Sequence, residues 1–354
     1  MNEPLSLLFF GAGAIGTYIG GSLALAGHKV VYVEQPGVAD QLRQKGLRLN
    51  LAVDPRRSPQ SEFSLGVPAV EFASSLEQAL GLGRYDVALF ALKSYDTAAA
   101  LAGLKPFAAQ LPPILCLQNG VDNEPAIAAV TGPEKMLYGT VTSAVGRPGL
   151  GEIVLEKLRG VGVAAGHPLA PRLVQALDEA YLNARLFPSA ADMKWSKMLT
   201  NLLANPTSAI LDMTAAQVFA DPRLYRLEIE QLKECLAVMR AQKIGVVDLP
   251  GTPVRALAFA TGLPLWLSKP FLSKAAGAGR GAKMPSFHID LHAGRGKSEV
   301  AYLHGAVVRA GEKFGVPTPV NRLLTQTLLD LTAGSLPLEA FAGQPEKLLA
   351  ENKG

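Results

Sequence analysis

A chain of 354 residues has room for two domains of ordinary size, and 49% hydrophobic against 18% charged residues excludes a largely disordered polymer. The formal net charge of +4 is small for this length. The basic residues are dispersed without interleaved aromatics, which argues against nucleic acid and for an anionic small-molecule partner. Two cysteines, Cys116 and Cys235, lie far apart in sequence. Cys116 sits in an apolar run, so a buried thiol in a reducing cytoplasm is expected. No basic segment precedes the N-terminal apolar stretch and no run approaches 18 apolar residues, so neither a signal peptide nor a membrane span is expected.

In chain order, residues 5–10 form an apolar strand that runs into Gly11-Ala12-Gly13-Ala14-Ile15-Gly16 and a small-residue helix over 15–26. The G-x-G-x-x-G spacing between strand and helix is that of a dinucleotide-binding turn. Its first glycine allows the tight bend, its second lets the backbone approach a pyrophosphate, and its third lets the helix pack on the strand. A second strand over 29–33 ends in Glu34, where a ribose-binding carboxylate belongs. A helix over 38–45, an extended 47–53, a polar loop at 54–61, a short helix at 77–82, a strand at 86–92, a helix over 97–110 and a strand at 114–117 follow. This alternation predicts a doubly wound, mostly parallel sheet. Residues 137–145, 151–155 and 160–164 read as further strands closing that domain. A connecting helix over 170–183 and an extended 184–188 precede a helical second half. There, helices are expected over 191–205, stopped by Pro206, over 221–244 and over 297–314. Residues 250–284 read as irregular, and Gly277–Lys283 lacks the spacing of a P-loop. The expected division is a Rossmann domain over 1–187, an all-α domain over 188–335 and a solvated tail over 336–354.

Chemistry concentrates in the helix containing Lys197, Asn201 and Asn205, whose i, i+4, i+8 spacing places all three on one face. Asparagine is a poor helix former, so this stripe suggests hydrogen bonding to a polar ligand rather than a solvated face. Lys93 and Asn119 follow strands, at the carboxyl edge where open sheets bind ligands. Ser298 followed by Glu299 reads as a helix cap with an acid in the first turn. His288 and His292 are one helical turn apart, but H-E-x-x-H is absent and only His304 offers itself as a third ligand, so no metal is expected. G-x-S-x-G, the elbow of a Ser hydrolase, is also absent.

Together, Gly11–Gly16, Lys93-Ser94, Gln118-Asn119-Gly120, Trp195-x-Lys197-x3-Asn201-x3-Asn205-Pro206, Ser286-x3-Asp290, Ser298-Glu299 and Gly315-Val-Pro-Thr-Pro319 resemble the ketopantoate reductase family, in order and over nearly the whole chain. The resemblance implies a Rossmann domain followed by a helical domain with the active site in the cleft between them. It implies hydride transfer from NADP or NAD to C2 of a 2-keto acid, with ketopantoate in the pantothenate pathway as the leading substrate. Lys197 would be the general acid. Asn119, Asn201, Asn205 and Ser286 would hold the substrate, Glu299 would serve catalysis and the cofactor side, and Lys93 and Asn119 would contact the cofactor. Members that use NADPH usually carry arginine at the end of the second strand; Glu34 stands there instead and favours NAD. The family's further substrate asparagine falls near Ala215, and residues 250–284 are longer than a compact member needs. An NAD-dependent D-2-hydroxyacid dehydrogenase of the same fold, acting on branched or aromatic keto acids, and a non-catalytic NAD(P)-binding sensor are the alternatives. Partners other than the keto acid, whether nucleic acid or membrane, are not expected; a homodimer is compatible with this reading.

Overall fold

A computed structural model describes residues 3–280 and 284–351, so the end of the glycine-rich stretch, residues 281–283, lies outside the described residues. The chain divides into two compact units. The first comprises Met1–Gln118, Asp122–Met193 and Leu249–Thr252, and the second Asn119–Val121, Lys194–Asp248 and Pro253–Gly354.

The first unit contains the strands β1 (Ser6–Phe10), β2 (Lys29–Val33), β3 (Leu47–Asn50), β4 (Glu62–Leu65), β5 (Glu71–Ala73), β6 (Val87–Phe90), β7 (Ile114–Cys116), β8 (Met136–Val141), β9 (Ala144–Gly149), β10 (Glu152–Lys157), β11 (Val161–Ala164) and β12 (Ala184–Phe187). Its helices are α1 (Ala14–Leu25), α2 (Pro36–Lys45), α3 (Leu76–Gly81), α4 (Thr97–Leu104), α5 (Asn123–Thr131) and α6 (Ala170–Glu179). Eight strands form the main sheet in the order β12-β11-β8-β7-β6-β1-β2-β5. All neighbours in it are parallel except β8 and β11. Both faces are covered, which explains why its strands read as continuous apolar runs rather than alternating ones. Along β1, Leu7 and Phe9 join one core with Tyr32 and Leu89, while Leu8 and Phe10 join the other with Val31 and Phe90. The expected doubly wound sheet is present. The late strands divide: β8 and β11 extend the main sheet, whereas β9 and β10 join β3 and β4 in a second sheet of order β4-β3-β10-β9. That second sheet packs on α1, with the Leu49 side chain lying where a Cβ on Gly21 would stand, 2.5 Å away. The order of the main sheet reverses between β1 and β6, which is the topological switch point where ligands of such sheets bind.

The second unit is helical: α7 (Ala190–Leu202), α8 (Asn205–Leu211), α9 (Ala215–Ala220), α10 (Pro222–Ala241), α11 (Val254–Thr261), α12 (Leu265–Arg280), α13 (Ser286–His292), α14 (His304–Phe314), α15 (Pro319–Ala333) and α16 (Pro345–Glu351). Four expectations change here. The helix carrying Lys197 ends at Leu202, and Pro206 does not stop it but sits in the first turn of α8, where its missing N–H costs nothing. Asn205 therefore begins a new helix and is not on the Lys197–Asn201 face by regular helical spacing. Residues 250–284, expected to be irregular, include α11 and α12: Pro253 and Pro264 lie just before these helices, and α12 tolerates Pro270 in its interior. The long helix expected over 297–314 breaks at Leu303 (φ −107°, ψ −80°) into a 3₁₀ turn, Glu299–Tyr302, and α14. The tail after Leu336 is not a solvated appendage: Leu348 of α16 is fully buried and the Gly343 N–H donates to the Leu211 carbonyl at the end of α8.

Candidate active site

The Gly11–Gly16 turn connects β1 to α1. Gly11 has φ +96°, a conformation that L side chains rarely adopt, and a Cβ on Gly16 would lie 1.9 Å from the Gly11 carbonyl oxygen. The first and third glycines are thus required by the fold itself. Gly13 is different, since a Cβ there would meet no protein atom within 4 Å. It caps α1 without bringing a side chain to the first-turn N–H groups, and that turn carries no acidic residue. A backbone cradle at the start of a helix whose own first turn carries no acid fits a dinucleotide pyrophosphate. Glu34, just past β2, is half-buried, and its carboxylate accepts a hydrogen bond from the Ala12 N–H at 2.5 Å. The acid at the end of β2 is thus anchored to the glycine turn. Arg43 of α2, a cation that follows β2 in the chain, is engaged by neighbouring groups: its guanidinium donates to the Phe72 carbonyl (2.9 Å), to Gln78 (3.3 Å) and to Asp40. Lys93 precedes the 3₁₀ turn Ser94–Asp96 beyond β6, on the switch-point side of the sheet. The end of β7 is held by Gln118, which donates to the Leu92 carbonyl (3.1 Å) and to Thr97 (2.9 Å).

In the second unit, four of the expected polar residues form one hydrogen-bonded chain. Asn201 Nδ2 donates to Asn119 Oδ1 at 3.1 Å, and Asn205 Nδ2 donates to the Asn201 carbonyl at 3.2 Å. The Asn205 side chain then reaches helix α13, accepting from the Phe287 N–H at 3.2 Å and lying 3.5 Å from Ser286 Oγ. Lys197 lies one turn before Asn201 on α7, half-buried, while Met193, Trp195, Met198, Leu199 and Leu202 bury the apolar side of that helix. Asn205 joins the array despite belonging to a separate helix, because a left-handed residue, Ala204 (φ +52°), redirects the chain between α7 and α8. Glu299 is 4% exposed at the head of its 3₁₀ turn, and Ser298 Oγ accepts from the Val300 N–H, as the capping reading required. Asp290 is buried and paired with Arg295 at 3.3 Å.

Sequence reading missed the group that shapes this array. Glu228 of α10 is fully buried, and its carboxylate accepts from the Ala204 N–H (2.6 Å), Thr207 Oγ1 (2.5 Å) and Gln231 Nε2 (2.6 Å). Gln231 in turn meets His304 Nε2 at 3.0 Å. A carboxylate inside an amphipathic helix looks like a solvent-side residue in sequence, and only its position on the core side of α10 could have marked it. His304 is fully buried against Gln231 and the edge of the Phe287 ring, so it is not a third ligand for His288 and His292. Instead, the residue that meets that pair is Asp212.

A glycine cradle that fits a dinucleotide and a hydrogen-bonding array beside a lysine are features that a nicotinamide-dinucleotide-dependent oxidoreductase acting on CH–OH groups requires. The profile described as ketopantoate reductase PanE/ApbA matches residues 7–165, and its C-terminal counterpart matches residues 190–331. The chain belongs to the ketopantoate reductase family. The 2-dehydropantoate 2-reductase of Archaeoglobus fulgidus is 27% identical over 328 residues, covering 92% of this chain and 95% of that protein. Its counterpart from Aquifex aeolicus is 22% identical over 331 residues, covering 91% and 95%. Among solved structures, a PanE/ApbA family ketopantoate reductase from Ralstonia eutropha superposes with a TM-score of 0.75 at 24% identity, over 93% of this chain and 99% of that one. A D-mandelate dehydrogenase solved with NADH and anilino(oxo)acetate has the same fold, with a TM-score of 0.74 at 21% identity over the same shares.

Proposed function

We propose that this protein reduces a 2-keto acid to the 2-hydroxy acid with a reduced nicotinamide cofactor, with 2-dehydropantoate as the leading substrate and pantothenate synthesis as its setting. The observation that carries this reading is the continuous array Asn119–Asn201–Asn205–Ser286, built around the turn that follows Lys197. A 2-keto acid presents a carboxylate and a carbonyl, and amide and hydroxyl donors at neighbouring positions match both. The family names of the relatives support the same substrate class.

The dinucleotide, when bound on the Gly11–Gly16 cradle, supplies a hydride to C2. The residues of the chain do the rest. Asn201, Asn205 and Ser286 orient the keto acid so that its C2 carbonyl is presented in one geometry. Lys197 donates a proton to the carbonyl oxygen as it gains charge, so no free alkoxide has to form. Glu299, buried at the head of its 3₁₀ turn, would serve the cofactor side, a role that rests on the family resemblance.

The test is turnover of a panel of 2-keto acids with NADH and NADPH separately, in wild type and Lys197→Ala. Loss of the acid should lower kcat by about 10²–10⁴. Unchanged turnover in Lys197→Ala would remove lysine from the mechanism, and binding of NAD(H) with no turnover of any keto acid would favour a sensor. A second reading, an NAD-dependent dehydrogenase for bulkier D-2-hydroxy acids, is favoured by Glu34, whose carboxylate suits a ribose 2′-OH and repels a 2′-phosphate.

A further inference from the structure

Helix α8 ends at Asp212, a C-cap in the left-handed region (φ +50°), and the carboxylate there faces two imidazoles from α13. Asp212 Oδ1 lies 2.7 Å from His288 Nε2 and 3.9 Å from His292 Nε2. The two rings are stacked one helical turn apart, with centroids 4.1 Å from each other. A simple capping ion pair would account for Asp212 and His288. It does not account for His292, which directs a second ring nitrogen to the same carboxylate oxygen.

We propose that Asp212, His288 and His292 form a binding site for a divalent transition-metal ion, Zn²⁺ foremost, that joins the end of α8 to α13. One ligand atom from each residue lies within 4.8 Å of the other two. In a tetrahedral zinc site with bonds of about 2.0–2.1 Å, ligand atoms stand roughly 3.3 Å apart. The separations of 2.7 and 3.9 Å from Asp212 bracket that spacing, and the two imidazole nitrogens lie within 4.8 Å of each other, a gap that rotation of the exposed His292 ring can close. Two imidazole nitrogens and one carboxylate oxygen select Zn²⁺, Ni²⁺ or Cu²⁺ over Mg²⁺ or Ca²⁺, which prefer all-oxygen cages. The Asp212 side chain is 51% exposed and that of His292 39%, leaving the remaining coordination position to water. The other histidines are poorly suited to compete: His28 Nδ1 accepts from the Leu5 N–H, His167 Nδ1 from the Leu169 N–H, and His304 is fully buried. Both cysteines are buried as well. Ser286 stands two residues before His288 and Asn205 opens α8, so the ion would also clamp the two helices that carry part of the array; the site itself stands without the assignment of those residues.

The experiment uses the full chain without a histidine tag, freed of metal by dialysis against chelator, and titrated with ZnCl₂ in a calorimeter. One equivalent should bind, and thermal unfolding should rise by about 4 °C or more at an ion concentration ~100-fold above Kd. His292→Ala and Asp212→Asn, both at exposed positions, should each weaken binding by about tenfold or more. MgCl₂ should give neither heat nor a shift. The proposal is overturned if wild type binds no Zn²⁺ at ~100 µM, a concentration at which a three-ligand site should be occupied. It is equally overturned if both variants bind as wild type does, which would locate the ion elsewhere.

Discussion

At the scale of single residues, the proposed preference for NADH rests on Glu34. Its carboxylate is tied to the Ala12 N–H inside the Gly11–Gly16 turn, so its charge is fixed where the adenosine ribose of a dinucleotide bound there would lie. A 2′-phosphate brought there meets a like charge at short range, and Arg43 is already held by Phe72, Asp40 and Gln78. The expected result is a higher kcat/KM with NADH than with NADPH. Glu34→Gln keeps an acceptor for Ala12 and removes the charge, and should shift the NADPH:NADH ratio of kcat/KM by about tenfold toward NADPH, a change of about 1.4 kcal/mol. Steady-state kinetics with both cofactors checks this; a ratio that does not move would show that the carboxylate does not govern the choice. The glycines and Glu34 were legible in the sequence because the fingerprint is local, with every part of it inside one strand–helix–strand unit. The Asp212 cluster was not legible, because the third ligand comes from 76 residues away and nothing in the spacing of His288 and His292 points to it.

At the level of elements, the joint between α7 and α8 decides where Asn205 sits. Alanine in the left-handed region costs roughly 1–2 kcal/mol, and the helix that follows begins with unsatisfied N–H groups. Glu228 offsets part of that cost by accepting from the Ala204 N–H and the Thr207 hydroxyl, while Gln231 donates to the same carboxylate. Glu228→Gln replaces one acceptor oxygen by a donor facing donors, so it should destabilise the protein by about 2–4 kcal/mol. It should also raise KM for the keto acid more than it lowers kcat, because Asn205 is misplaced while Lys197 is not; denaturant unfolding and steady-state kinetics read the two effects. Sequence spacing predicts one helix from 191 to 205 because Lys197, Asn201 and Asn205 keep helical spacing through a position that is in fact a turn. Only a partner 24 residues downstream makes that turn affordable in energy, and such a partner leaves no local mark. The same holds for the tail. Leu348 is fully buried, so Leu348→Ala should cost about 2–5 kcal/mol in urea unfolding, where a solvated appendage would cost nothing measurable.

Across the whole molecule, what was legible followed from periodicity and what was not followed from long-range burial of polar groups. The parallel sheet announced itself because strands covered on both faces are apolar throughout, as Leu7–Phe10 and Val87–Phe90 are. The buried polar core of the second unit did not: Glu228, Gln231, His304 and Asn321 are all fully buried, yet their residue types belong to surfaces. That core gives the stability of the unit a dependence on pH. Burial keeps the His304 imidazole neutral and pushes its pKa down to about 3. The unfolded chain binds that proton near pH 6.5, whereas the folded chain does not until about pH 3. Between those values the unfolded state holds the extra proton, so stability falls as pH falls, by up to about 1.4 kcal/mol per pH unit. Burial raises the Glu234 pKa, and a raised carboxyl has the opposite sign, adding stability as the pH falls through its folded value. Comparison of wild type with His304→Gln cancels the Glu234 contribution and isolates the histidine. Trp195 and Trp266 both belong to the second unit, so tryptophan fluorescence follows its unfolding. In urea titrations at pH 7, 6 and 5, the unfolding free energy of wild type should drop between pH 6 and 5 by about 1 kcal/mol more than that of His304→Gln, whatever the stability of the variant at pH 7. Parallel pH profiles for the two proteins would mean that the folded state accommodates the imidazolium, and that the contact with Gln231 opens to water.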